Sequence, residues 1–419
     1  MFSASLRHTQ TKRTASLLAR RAQHLSIPTS WRSLATVART HPFPALAPFE
    51  HIDETPAIGT RFPKTTQLSN LLRLSNSDDV LRDLARLVSH RGVLFFHEQD
   101  ISPEQQRELG KRLGELAGKP ATSTLHIYPN DYSDTIKNKD TLPQDISTIS
   151  SEGGVSRTGF SETARASDGW HSDTSFEPVP SDYAVGWSIS IMDARADLLF
   201  ALQILKLHTL PPTLVSILPL SRFAPQWASG YEAYDKLSPA YRKFLEGLTA
   251  LHDAKGIREE LAKCKDNAVY GPRGSPENIG ATLQAIQFVL ATSILFALML
   301  QNSPVIRSHP VTGFKTLFIN KFVSFVETIV SYTTRILELT EDESNDVLAY
   351  LTRHVSENHD LQVRFRWGKN DVAIWDNRCT MHTATIDYAG LRQGDRVVSV
   401  GERPYLDPDS GSRRESLEI

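Results

Sequence analysis

Cysteine is nearly absent: the 419 residues hold two, Cys264 and Cys379. They lie far apart and form no C-x-x-C pair, which excludes both a disulfide-stapled secreted domain and a zinc ribbon. A reducing, intracellular compartment is the natural reading. Long apolar runs are scarce as well. The most apolar stretch, Phe288 to Leu300, spans thirteen residues, short of the roughly twenty that a helix needs to cross a bilayer. A membrane span is therefore excluded, and neither an internal repeat nor a long low-complexity tract is present.

Acidic residues are missing from the start of the chain. None precedes Glu50, while Arg7, Lys12, Arg13, Arg20, Arg21, Arg32 and Arg39 stand among many Ser, Thr and Ala. This is the pattern of a mitochondrial transit peptide over residues 1–40, and it predicts the mitochondrial matrix as destination. A basic tail or a wrongly extended start is the competing reading, with a cytoplasmic protein as its consequence. Setting those seven charges aside takes the formal net charge from −2 to −9, which excludes a general nucleic-acid surface.

The remainder is ordinary in composition, 40% hydrophobic and 22% charged. Residues 41–410 are expected to form one domain, followed by a disordered tail over 411–419. Ser77 to His90 carries Val80, Leu81, Leu84, Leu87 and Val88 at helical spacing and stops at Gly92, which leads into the apolar strand Val93 to Phe96. Ser102-Pro103-Glu104-Gln105 is a capping box with proline at the first helical position, opening a helix whose Leu109, Leu113 and Leu116 share one face. A second box, Thr340 to Glu343, opens a helix packed through Val347, Leu348, Leu351 and Val355. His354 and His359 at its end are read as surface or cap residues. Gln362 to Trp367 alternates polar and apolar, Gly368 to Asp371 is a turn cluster, and Val372 to Trp375 resumes an apolar run, so a β-hairpin is expected there. Arg396 to Val400 is a further strand.

Chemistry concentrates in two short motifs. Trp170-His171-Ser172-Asp173 is answered some two hundred residues later by His382 in Trp375-Asp376-Asn377-Arg378-Cys379-Thr380-Met381-His382, with Arg392 and Arg396 following. In a strand, residues i and i+2 share a face, so His171 and Asp173 can meet one metal while Ser172 points away. Two histidines and one carboxylate make the facial triad that holds non-haem Fe(II) with positions open for further ligands. A second His-x-Asp, His51-Ile52-Asp53, lies in a proline-punctuated stretch without strand pattern and is read as a decoy.

With these motifs in place the chain resembles the taurine/α-ketoglutarate dioxygenase family, the TauD/TfdA group, and most closely its fungal alkylsulfonate-type members. The resemblance runs through Arg91 to Phe96, Trp170 to Ala184, Trp227 to Tyr234, Pro304 to Asn320, and nearly everything from Thr333 to Pro408. It implies an α+β chain with a mainly β core, a double-stranded β-helix (jelly roll, cupin-like) with flanking helices. It implies that His171, Asp173 and His382 bind Fe(II), that Arg392 pairs with the distal carboxylate of the co-substrate 2-oxoglutarate, and that Arg396 faces a substrate sulfonate. A guanidinium matches such planar oxyanions two bonds at a time. His126 and Tyr128 fall where the family contacts substrate.

The implied reaction consumes O2 and 2-oxoglutarate, releases succinate and CO2, and hydroxylates a small anionic substrate. For an alkylsulfonate such as taurine, the product collapses to an aldehyde and sulfite. A homodimer or homotetramer is implied, with no nucleic acid and no membrane as partner.

Three departures qualify that reading. The threonine that follows G-G-D in the family and helps bind 2-oxoglutarate is absent between Pro212 and Trp227. The family pattern H-x-H-P reads His126-Ile127-Tyr128-Pro129, and a tyrosine hydroxyl donates one hydrogen bond but carries no positive charge. Finally, stretches 186–204, 214–226, 287–303 and 322–332 interrupt family blocks and differ in composition from their flanks, as translated introns or mis-set splice junctions would. Two alternatives therefore stand beside the sulfonate reading: a catalytically impaired or mis-spliced product of the same family, and a same-family enzyme for sulfate esters or aryloxy or alkyl carboxylates.

Overall fold

A computed structural model describes residues 42–127, 143–150, 166–191, 226–253, 272–278, 301–320, 332–385 and 392–418. The basic stretch 1–40, Tyr128, Cys264 and the apolar run Phe288 to Leu300 lie outside them. Among the described residues no helix is long and apolar enough to cross a membrane.

Seven strands form the main sheet. In chain order they begin with β1 (Ile52–Asp53), β2 (Thr60–Phe62), β3 (Val93–Phe96), β4 (Ile146–Ser150) and β5 (Ser181–Ile191). Seven further strands follow: β6 (Gln226–Ser229), β7 (Thr249–Asp253), β8 (Gln301–Pro304), β9 (Ile306–Ser308), β10 (Lys315–Leu317), β11 (Tyr332–Ile336) and β12 (Gln362–Arg364). Then come β13 (Val372–Asp376), β14 (Thr380–Thr383) and β15 (Arg392–Val400). The main sheet runs β1-β2-β3-β13-β5-β15-β4, the smaller ones β12-β6-β14, β11-β7-β8 and β10-β9. β2 and β3 are parallel; the other recorded pairs are antiparallel.

The period of two along the central strands sorts the core into layers. Leu94, Phe96, Tyr183, Val185, Val372 and Ile374 join one apolar cluster with the helices α1 (Leu68–Arg73), α2 (Ser77–Arg91) and α3 (Pro103–Leu116). Their neighbours Val93, Phe95, Ala184, Ala373 and Trp375 face the other way, into a cluster with Trp227 of β6 and Val363 of β12. The main sheet is thus covered by helices on one face and by the β12-β6-β14 sheet on the other. Two of the expected helices start and stop as their caps dictate. Ser102 accepts from Gln105 and Gln105 answers at the cap of α3, and α2 ends on Gly92 at φ 76°, where a side chain would also meet Thr380 Cγ2 at 2.8 Å.

Two expectations are corrected. β12 and β13 do not form a hairpin, because β12 pairs with β6 and β13 sits between β3 and β5 in another sheet. The turn signal at Gly368 to Asp371 is real, but a turn says nothing about which strands it joins; β13 is buried throughout and takes the place of a central strand. The tail also departs from the disorder expected of it. After helices α4 (Gly230–Asp235), α5 (Pro239–Leu245) and α6 (Glu341–Ser356), a short α7 (Arg413–Leu417) forms on a Ser412–Glu415 capping box. Arg413 reaches the carbonyls of Pro56 and Ala57, and Arg414 pairs with Glu232, which ties it down. Of the four interrupting stretches, the described edges are strand: Gly186 to Ile191 continue β5, Gln226 opens β6, Gln301 to Ser303 lie in β8 and Tyr332 opens β11.

His252, on β7, is buried against Phe318 at a ring separation of 5.3 Å, and neither ring nitrogen has a hydrogen-bond partner among the described residues. Burial pulls its pKa down to about 3. The unfolded chain therefore takes up a proton near pH 6.5 that the fold refuses, so this contribution is full above that pH and lost as pH falls toward 3. The melting temperature should fall between pH 7 and pH 4, and less steeply in His252→Leu than in the wild type. Equal slopes would remove His252 as a cause.

Candidate metal centre

His382 lies on β14, paired with Trp227 of β6. His171 extends that small sheet by a single antiparallel bridge: its N–H donates to His382 O at 2.9 Å and its own carbonyl accepts from His382 N at 2.7 Å. The two rings are consequently 4.3 Å apart, centre to centre. Strand alternation does not carry through to Asp173, which already lies in a turn, followed by Thr174 at φ 52°. The turn is pinned by Ser181, whose N–H donates to Thr174 Oγ1 and whose hydroxyl donates to Asp173 O at 2.8 Å. His171, Asp173 and His382 each offer one ligand atom, all within 4.8 Å of one another.

Two asparagines that sequence reasoning did not single out hold this geometry. Asn320 clasps the backbone of Ser172, accepting from its N–H and donating to its carbonyl, each at 3.0 Å. Asn377 accepts from Asp173 N and from Trp375 Nε1, each at 3.1 Å. They stand 148 and 204 positions from their partners, a separation that spacing in a single chain cannot reveal.

The chemistry of the donors suits a divalent cation. Burial lowers the pKa of both histidines, that of His382 to about 3, so each presents a neutral lone pair near pH 7. Burial alone would raise the Asp173 carboxyl, but the charge of the Arg396 guanidinium outweighs it and holds the group below its ordinary value. Asp173 Oδ2 is buried and has no hydrogen-bond partner among the described residues. An ionised carboxylate oxygen with no donor is costly unless a cation completes it. His171 Nδ1 faces Gly169 O at 2.8 Å, a contact that leaves Nε2 as its ligand atom.

Arg396 comes from β15 and donates from Nη1 to Asp173 Oδ1 at 2.8 Å. It therefore stands at the triad. Arg392 opens β15 with its backbone paired to Ile191; its side chain lies outside the described part of the structure. His126 is buried with Nε2 at 3.3 Å from Glu177 Oε1, and the same carboxylate receives Arg273 at 2.6 and 2.8 Å. The decoy motif joins no metal-like group among the described residues: His51 faces Phe49 O, and Asp53 binds Thr60 and Arg91. His354 caps the Ala233 carbonyl at 2.8 Å.

A second cluster, His309, Asp376 and Cys379, has ligand-like spacing. Its carboxylate is already saturated. Arg378 binds Asp376 through Nε at 2.9 Å and Nη2 at 2.7 Å, and Ser89 Oγ and His309 Nε2 each lie 2.9 Å from Oδ2. No oxygen remains to serve as a ligand, so this is a buried structural knot.

Comparison with known proteins gives the family. The family model described as taurine catabolism dioxygenase TauD, TfdA family matches residues 50–185 and 224–400. The chain is similar to the alpha-ketoglutarate-dependent dioxygenase btcD of Neocamarosporium betae, 39% identical over 90% of this chain and 97% of the relative. It is also similar to the alpha-ketoglutarate-dependent sulfonate dioxygenase of Saccharomyces cerevisiae, 27% identical over 82% of this chain and 67% of the relative. Among solved structures, a taurine dioxygenase from Burkholderia xenovorans aligns with a TM-score of 0.52 at 20% identity, covering 86% of this chain and 94% of that one.

Proposed function

Because this chain belongs to the taurine catabolism dioxygenase TauD, TfdA family, we propose that it hydroxylates a small anionic substrate, an alkylsulfonate such as taurine, at the mouth of a jelly-roll barrel. It is an Fe(II)- and 2-oxoglutarate-dependent dioxygenase. The observation that carries the substrate proposal is the pairing of the His171–Asp173–His382 set with the arginine Arg396 on the same carboxylate.

His171, Asp173 and His382 would hold Fe(II), and Arg392 would fix the far carboxylate of 2-oxoglutarate. When bound, this pair supplies the oxidising power: O2 and 2-oxoglutarate go to succinate, CO2 and one oxygen atom inserted into a substrate C–H bond. The protein's own part is positional. Asn377 and Ser181 fix the Asp173 backbone, the backbone bridge fixes the two histidines, and Arg396 would orient the anionic end of the substrate. Hydroxylation of the carbon bearing a sulfonate gives a 1-hydroxy species that loses sulfite to an aldehyde.

A carboxylate or sulfate ester is the second reading. It is favoured by Tyr128, which stands where the family has histidine and cannot carry a positive charge, and by the more similar relative at 39% identity, whose name does not mention sulfonate.

The test is anaerobic visible absorption of the full chain with Fe(II) and then 2-oxoglutarate. The charge-transfer band of the chelate should appear, vanish in His382→Ala and weaken in Arg392→Ala; succinate release with taurine should follow in air. A folded chain without the band is not a working dioxygenase. A band without taurine-dependent succinate would move the substrate to the carboxylate and sulfate-ester class.

A further inference from the structure

The loop that carries Asp173 is strained where it leaves the ligand. Thr174 sits at φ 52°, a left-handed conformation that a β-branched side chain adopts only when its surroundings impose it. Part of that restraint is internal, since Ser181 holds Thr174 Oγ1 and Asp173 O, and Glu177 N donates to Thr174 O at 2.9 Å. The front of the loop is clasped by Asn320 at Ser172. Its back is clasped by a separate piece of chain.

Residues 272–278 form that piece. Asn278 takes the backbone of Val179 as Asn320 takes that of Ser172, accepting from its N–H and donating to its carbonyl, each at 2.9 Å. Arg273 grips Glu177 with two parallel bonds, Nε to Oε1 at 2.6 Å and Nη2 to Oε2 at 2.8 Å, and both side chains are buried. The segment turns back on itself, with Arg273 N donating to Asn278 O and Asn278 N to Ser275 O. Its two grips are thereby held at a fixed spacing.

The other side of the segment is anchored too. Gly274 O accepts from Thr124 N at 2.7 Å, and Thr124 O accepts from Val400 N of β15. Gly274 lies at φ 81°, and a side chain there would meet Val400 Cγ2 at 2.6 Å and Leu125 O at 2.7 Å, so only glycine lets the segment seat this closely. Glu277 receives Arg403 at 2.5 Å. A short segment fixed to the main sheet thus reaches the loop behind Asp173 at two points.

We propose that residues 272–278 act as a strap that sets the metal affinity of the triad. Arg273 and Asn278 are positioning residues: they hold the loop in the form that presents the Asp173 carboxylate to His171 and His382, and a bound ion stabilises the strap in return. Neither residue belongs to the ligand group. The proposal rests on the reading of the triad as a metal site given above.

The experiment uses the full chain and Mn(II), with binding followed by the electron paramagnetic resonance signal of the free ion and folding by the melting temperature. Asn278→Ala should bind Mn(II) about tenfold more weakly than the wild type while folded, at the lower end of the roughly 10- to 100-fold cost of losing an outer partner. Arg273→Lys, which keeps Glu177 paired but loses the two-bond fork, should show a smaller loss in the same direction. A purely structural strap would lower the melting temperature and leave the affinity of the folded protein alone.

The wild type gives a second measurement that needs no variant to fold. Saturating Mn(II) should slow amide hydrogen exchange in 272–278 by about tenfold beyond any slowing in α7, because linkage makes the coupling equal in both directions. Undiminished affinity in both folded variants overturns the proposal, and so does equal slowing in the strap and in α7. Wild-type Mn(II) binding that is absent, or that survives undiminished in His382→Ala, removes the triad reading and the strap's role with it; that failure shows before any strap variant is made.

Discussion

Asp173→Ala is expected to weaken Mn(II) or Fe(II) binding by more than about 100-fold, beyond the 10- to 100-fold that loss of an outer-sphere partner costs, and to abolish succinate formation. Among the described residues Asp173 is the only carboxylate in the His171–His382 group, and without it that group keeps two neutral imidazoles beside the positive charge of Arg396. The variant strips Arg396 of its partner on Asp173, so its fold has to be checked alongside its metal affinity. Metal titration of a variant with an unchanged circular dichroism spectrum gives the result cleanly. Retained affinity would mean that the ion sits elsewhere.

The second large effect is on stability. Arg378→Met should destabilise the fold by about 3–5 kcal/mol, the usual cost of stranding a buried charge. Both oxygens of Asp376 rest on Arg378 at 2.9 and 2.7 Å, and the pair is almost wholly buried. Burial would raise the Asp376 carboxyl, yet Arg378 and His309 hold it far below the usual range. Arg378 also lies over the Tyr183 ring at 4.5 Å and approaches Glu402, which receives Arg307. Denaturant unfolding measures the loss; a change under about 1 kcal/mol would show that the knot is no stronger than a surface ion pair. Asp376→Leu combined with Arg378→Met should recover part of the stability, since an apolar pair leaves no stranded charge. Because Asp376 and Arg378 flank Asn377, which holds Asp173, the single variant should weaken metal binding as well.

The two experiments separate the parts of one short motif. In Trp375-Asp376-Asn377-Arg378 through His382, only the last residue offers a ligand to the His171–Asp173 pair. Asp376 and Arg378 lock the turn between β13 and β14, and Asn377 reaches across to the Asp173 backbone. A pattern read as a metal motif is therefore mostly a scaffold for one histidine.

What was legible in the amino-acid sequence is what local chemistry decides. The caps at Ser102 and Thr340, the stop at Gly92, the apolar run of β3 and the identity of the His171, Asp173 and His382 donors all depend on residues a few positions apart or on side-chain type alone. Partnership across the chain was not legible. The turn before Val372 gave no sign that β12 and β13 belong to different sheets, because strand pairing follows which faces are buried, and that is set by Phe95, Trp227 and Trp375 meeting from three distant segments. The same holds for Asn320 and Asn377, polar side chains of unremarkable type that matter only through where they are brought. Chain chemistry by itself determined which side chains can bind a metal and an anion; only the tertiary structure decided that Arg396 meets the carboxylate of Asp173, because a contact across 223 positions exists only once the chain has folded.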